Sequence, residues 1–176
     1  MFASPLSWIT VISLLLAAPA HGASTAKTAI GEAAATAQNW QADAVLTHVS
    51  TLQGRADGKA DHWLYTFHSP KAKESAIVTA RDRKTEIDAG VRNTSTDALG
   101  ADFVDSDKVI EATVKAGLKV DKAARNVMYG LVVGNQAVGK PQLFWSVTIM
   151  SGDGMSSLTL NGKDGAFIRR NDQKFK

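Results

Sequence analysis

At 176 residues, 44% apolar and 21% charged, the chain is long enough to bury roughly two thirds of its unfolded surface, and its composition is that of a globular protein and not a disordered one. It has no cysteine, so it has neither a disulfide framework nor a thiol nucleophile. The net charge is only +3: residues 24–100 balance nine basic against nine acidic, and residues 101–176 carry eleven against eight, too small an excess for a nucleic-acid footprint.

The first feature along the chain is a leader. Residues 8–18, WITVISLLLAA, form an uncharged apolar run of eleven. As a helix it would rise about 16 Å, roughly half the thickness of a bilayer's hydrocarbon core, so neither a span nor a stable membrane anchor is expected. Ala18 and Ala20 supply a small-x-small cleavage pattern. Residues 1–20 are therefore read as a signal peptide cut after Ala20, with Ala23 as the alternative. No cysteine follows to carry a lipid, and a periplasmic or secreted mature protein is expected.

Two similar stretches follow, 24–88 and 106–170, joined by a polar connector at 89–105 and closed by a basic tail at 171–176. In the first, Ser24 or Thr25 is expected to cap a helix running to Asn39, with Ile30, Ala33, Ala34 and Ala37 at helical spacing. Strand-like runs follow at 44–51, 62–68 and 75–81, rich in β-branched and aromatic residues. In the second, Ser106 is expected to cap a helix with Val109, Ile110, Val114 and Leu118 as its apolar stripe. Strands follow at 126–133, 143–150 and 155–161. An offset of eighty places Ile30 on Ile110, Tyr65 on Trp145 and Val78 on Leu158. The expected fold is α+β: two αβββ repeats forming an antiparallel sheet with helices packed on one face.

Alternation divides the strands. Trp63, Tyr65 and Phe67 point one way, as do Leu143, Trp145, Val147 and Ile149, and these apolar sets are expected to form the core beneath the helices. The opposite set, His62, Leu64, Thr66 and His68 with Gln142, Phe144, Ser146 and Thr148, is the candidate partner-binding face. Leu64 and Phe144 would be its apolar anchors.

Catalytic, cofactor and metal sites are not expected. His62 and His68 share a strand face but lie six residues apart, about 20 Å at ~3.3 Å per residue, so they cannot share an ion. With His48 they are read as solvent-exposed strand histidines. Residues 134–141, GNQAVGKP, nearly spell a phosphate loop, but Pro141 replaces the metal-binding hydroxyl and a strand follows where a helix is required, so a hairpin loop is expected. Asp43, Asp61 and Glu74 are scattered carboxylates that only folding could assemble.

The Ala-rich AIGEAAATA, the VIEATVKAGLKV segment, the paired strands and the closing GKDGAFI together resemble the PepSY family, whose unit is a helix and a three-stranded sheet. In the first half the matching ending reads RDRKTEI, without glycine. Tandem PepSY units are similar in architecture to β-lactamase inhibitory protein, which binds its enzyme with a sheet surface. The resemblance implies an exported, non-catalytic binding protein that restrains an extracytoplasmic enzyme such as a peptidase, another hydrolase or a toxin. The alternative is a small-ligand carrier or sensor with a pocket between helix and sheet, lined near Trp40 or Trp145.

Overall fold

The computed structural model describes residues 22–92, 95–135 and 141–175. The leader and its cleavage position lie outside the described residues, as does the tip of the 134–141 loop. Helix α1 (Ile30–Trp40) precedes strands β1 (Val45–Gly54), β2 (His62–Ser69), β3 (Glu74–Arg81) and β4 (Lys84–Ala89). Helix α2 (Ser106–Lys115) precedes β5 (Val127–Asn135), β6 (Pro141–Ser151), β7 (Gly154–Asn161) and β8 (Phe167–Lys174). All eight strands join one antiparallel sheet in the order β4-β3-β2-β1-β5-β6-β7-β8.

The expected α+β fold of two αβββ repeats is therefore wrong. Each helix is followed by four strands, the sheet is continuous, and helices of 11 and 10 residues are minor partners on it. The missed strands have a common cause. After β3, Asp82 (φ 50°) and Arg83 (φ 61°) make a two-residue turn between the paired Arg81 and Lys84, although both carry a Cβ. RDRKTEI is thus the turn into β4. GKDGAFI is likewise the turn into β8, with Gly165 at φ 73° and its N–H donating to the Asn161 carbonyl at 2.9 Å. β4 and β8 are edge strands exposed at nearly every position, so no apolar alternation marks them. The end of β8 takes in residues 171–174 of the basic tail.

Helix boundaries also move. Ser24 does not cap α1, because its N–H and C=O both pair with Ala60 (3.0 and 2.9 Å) and its carbonyl also accepts the Trp63 indole N–H at 2.8 Å. Committed to that bridge, Ser24 leaves α1 to start at Ile30 behind Ala29, with no side-chain cap. At α2 the cap is Asp105, which accepts the Ser106 N–H at 2.8 Å, and Ser106 is the first helical residue. That helix buries Ser106, Val109, Ile110 and Thr113, whereas Val114, expected in the stripe, is 52% exposed. It stands one residue beyond Thr113, about 100° off the buried line.

Contacts between residues eighty apart join the halves. Thr25 Oγ1 donates to Asp105 Oδ2 at 2.7 Å, and the Ala26 N–H donates to Ser106 Oγ at 3.0 Å. The Ser106 hydroxyl in turn donates to the Gly58 carbonyl at 2.6 Å. Gly58 has φ 79°, and a Cβ there would meet Asp107 Cα and Ser106 O at 2.5 Å, so only glycine allows the two backbones to come this close.

The core lies between the helices and one sheet face. Trp63, Tyr65, Val78, Leu131, Trp145, Val147 and Leu160 have no solvent exposure, and Ala33, Ala37 and Val109 close over them. The polar tips of the large buried aromatics are paired: the Trp145 indole N–H donates to the Val104 carbonyl at 2.9 Å, and the Tyr65 and Tyr129 hydroxyls donate to the carbonyls of Ala26 and Arg55 at 2.7 and 2.8 Å. The 89–105 connector is fastened to this core. Its Phe103 is 2% exposed and stacks edge-on against Trp145 at 6.2 Å, and the Leu99 N–H donates to the Leu46 carbonyl at 2.9 Å.

Candidate binding face

The sheet face turned away from the helices is built in cross-strand rows, because residues paired across antiparallel strands point to the same side. One row runs Thr79, Leu64, Ser50, Gly130, Ser146, Thr159, and the next runs Ile77, Thr66, His48, Val132, Phe144, Asn161. All eight residues expected on the binding face, four on β2 and four on β6, lie here. β1 and β5 stand between the two strands, so His62–His68 and Gln142–Thr148 are about 14 Å apart at ~4.8 Å per step. The missing middle of the face is His48, Ser50, Met128, Gly130 and Val132. Their alternation was readable in the sequence, but the β1–β5 pairing that makes them central was not.

Across β2, β1, β5, β6 and β7 no outward position carries Asp, Glu, Lys or Arg. Charge returns only at the margins, as Arg81 on β3, Lys84, Glu86 and Asp88 on β4, and Arg169 on β8. A sheet face that meets water is polar along its width, with charged residues common among the polar ones and on the edges. Here hydroxyls take that place: Thr148 Oγ1 donates to Ser157 Oγ at 2.9 Å, and Thr159 Oγ1 accepts from the marginal Arg169 Nε at 3.4 Å.

Two rings lie across glycine backbones in this face. A Cβ on Gly134 would come 2.9 Å from Phe144 Cε1, and one on Gly130 would come 3.7 Å from His48 Nε2. Glycine at these two positions lets the rings lie low and keeps the centre of the face shallow.

The three histidines are half-buried, which corrects the expectation that they are solvent-exposed. His48 sits between Thr66 and Val132, and burial pushes its imidazole below the ordinary histidine pKa. His68 Nδ1 is 3.0 Å from Ser75 Oγ. Among the described residues, no group of three or more His, Asp or Glu could hold a metal ion.

The carboxylates are not assembled into one site. Asp43 accepts the Ser69 hydroxyl at 2.8 Å and the Lys71 N–H at 2.9 Å, and these bonds, the Lys71 N–H foremost, hold its carboxyl below the usual range. Glu74 lies at the same end of β2, paired with Ser69, while Asp61 sits at the other end in an ion pair with Arg55. Two clefts open on the surface, lined mostly by residues of the helices and loops. One of about 480 Å³ is lined by Thr28, Glu32, Lys59, Asp61 and Arg81, and one of about 530 Å³ by Asp57, Ile110, Val114 and Lys115. Neither is lined by Trp40 or Trp145.

No model of a known family and no curated protein matches the chain, so the PepSY resemblance has no family match behind it. Among solved structures, the chain is similar in fold to the crystal structure of a putative lipoprotein from Clostridium difficile 630, with a TM-score of 0.54 and 12% identity over 82% of this chain and 92% of that one.

Proposed function

We propose that the chain is an exported, non-catalytic binding protein that docks on an extracytoplasmic protein through its outer sheet face, restraining a partner such as a peptidase, another hydrolase or a toxin. The observation that carries this reading is the charge-free breadth of the face. Five strands at ~4.8 Å and about seven residues at ~3.3 Å give roughly 500 Å² of flat sheet before side-chain relief. A standard protein interface buries about 800 Å² per partner, with charge depleted at its centre and polar groups at its rim. Leu64 and Phe144 supply apolar anchors in adjacent rows, and the margins carry the charge.

Two observations support export. The leader has the apolar run and small-residue cleavage pattern of a secretory signal, and the structural neighbour bears the name of a putative lipoprotein. This chain has no cysteine to carry a lipid, and among the described residues no helix is long and apolar enough to cross a membrane. A periplasmic or secreted form, released by cleavage of the leader, is the reading. The test is capture from the native exported fraction with the mature chain and with Leu64→Ala and Phe144→Ala variants. Loss of the same partner in both variants supports the proposal, and a partner retained equally by both overturns it.

A further inference from the structure

Apart from Met1, the chain has three methionines, and all three lie on one corner of the outer face. Met150 pairs directly with Met155 across β6 and β7, next to the Ser151–Gly154 pair that closes a two-residue hairpin. The closing pair of such a hairpin is hydrogen-bonded, so the next pair is of the close type, with Cα atoms about 4.5 Å apart and side chains nearest each other. Met128 on β5 faces Thr148, which makes it the diagonal neighbour of Met150 at about 7–8 Å, within reach of long side chains. Three thioethers thus share one patch. Met150 is 45% exposed and leaves the patch open to solvent, and the nearest outward neighbours on these strands, Thr148 and Ser157, are uncharged.

A patch meant only to be apolar would be served by the aliphatic and aromatic residues that supply the rest of this face, Leu64, Ile77, Val132 and Phe144, and the core, which holds no methionine. Thioether sulfur differs from them in one chemical respect: it is a soft, neutral, polarisable donor. Soft sulfur ligands select Cu(I) over the hard or borderline divalent ions that imidazole and carboxylate prefer. We propose that Met128, Met150 and Met155 form a three-thioether site for a soft monovalent cation, Cu(I), with Ag(I) as its non-redox equivalent. The site needs no deprotonation, unlike one built on histidine or cysteine. It stands independently of whether the face binds a protein.

The test uses the mature chain, kept anaerobic and reduced, with Cu(I) in competition against bicinchoninate, and separately with Ag(I) followed on the methionine ε-methyl NMR signals. The expected result is one ion per chain, all three methyl signals moving together, and the same affinity at pH 7.5 and pH 5.5. Partners outside the ligand shell are worth about 10–100-fold in metal affinity, so removing one ligand in Met150→Leu should weaken binding at least about tenfold. The triple Met→Leu variant should take up no ion while melting like the wild type, and His48→Gln should bind as the wild type does. The proposal is overturned by any of four results: no uptake by the wild type, fewer than three methyl signals moving, equal binding by Met150→Leu, or affinity that collapses at the lower pH as an imidazole site would. The methyl signals are read on the unmutated chain, so the test holds even if a variant misfolds.

Discussion

Replacing Gly58 with alanine probes the joint between the two halves, and Gly90→Ala provides the control. Both glycines sit in the left-handed region, at φ 79° and 75°, but a Cβ on Gly58 would meet Asp107 Cα and Ser106 O at 2.5 Å, whereas one on Gly90 meets nothing within 4 Å. The conformational penalty is thus shared: about 1–2 kcal/mol for an L-residue there, offset by roughly 0.4–1 kcal/mol from the stiffer unfolded chain. Only Gly58 adds a backbone clash, and forcing extra volume into a packed site costs about 1–3 kcal/mol. Gly90→Ala should therefore cost about 1 kcal/mol and Gly58→Ala about 2–4 kcal/mol. The second figure is a large share of the roughly 5–15 kcal/mol that holds a domain together. Urea unfolding followed by tryptophan fluorescence measures both, and at about 1–3 kcal/mol/M the Gly58 variant should lose about 1 M or more from its midpoint. Equal midpoints for the two variants would refute the close backbone approach at the joint.

Three further outcomes follow from the buried groups and the leader. The unfolded chain protonates His48 near pH 6.5, while the folded chain holds the imidazole neutral to lower pH, so the unfolded state binds more protons in that window. Stability is full above about pH 6.5 and falls as pH drops through the lower folded value; melting scans from pH 8 to 5 should show a smaller loss for His48→Gln than for the wild type. The only two tyrosines, Tyr65 and Tyr129, have their pKa values raised above the ordinary phenol range by burial first, then by nearby carboxylates, so phenolate absorbance should be absent at pH 11 and appear only with alkaline unfolding. A chain that reaches the exported fraction should begin at His21 by intact-mass measurement, and one that keeps residues 1–20 would contradict the signal-peptide reading.

The sequence made the two faces of β2 and β6 legible because a strand's side chains alternate strictly, and Trp63, Tyr65, Trp145 and Val147 mark one side with bulk that cannot stay in water. The same rule placed His62 to His68 and Gln142 to Thr148 on the opposite side. Strand order was less legible. Nothing local in residues 45–54 or 127–135 states that these strands pair, since that register comes from a contact closed over a long loop. β4 and β8 were hidden because edge strands bury little and carry charge on both sides, so KTEIDA and FIRRNDQK read as loop and tail. The start of α1 was misplaced because a serine before an apolar stripe resembles a cap even when its backbone is already paired.

Placing a charge at the middle of the outer face tests the central claim most directly. Ser146→Glu puts a carboxylate between Gly130 and Thr159, and Lys119→Glu in the exposed loop after α2 makes a change of charge twice as large elsewhere. An unpaired charge buried at an interface costs about 2–5 kcal/mol, so affinity for the captured partner should fall at least about thirtyfold in Ser146→Glu and stay near wild type in Lys119→Glu. Equal affinity in wild type and Ser146→Glu, with both melting alike, would contradict the assignment of this face to binding.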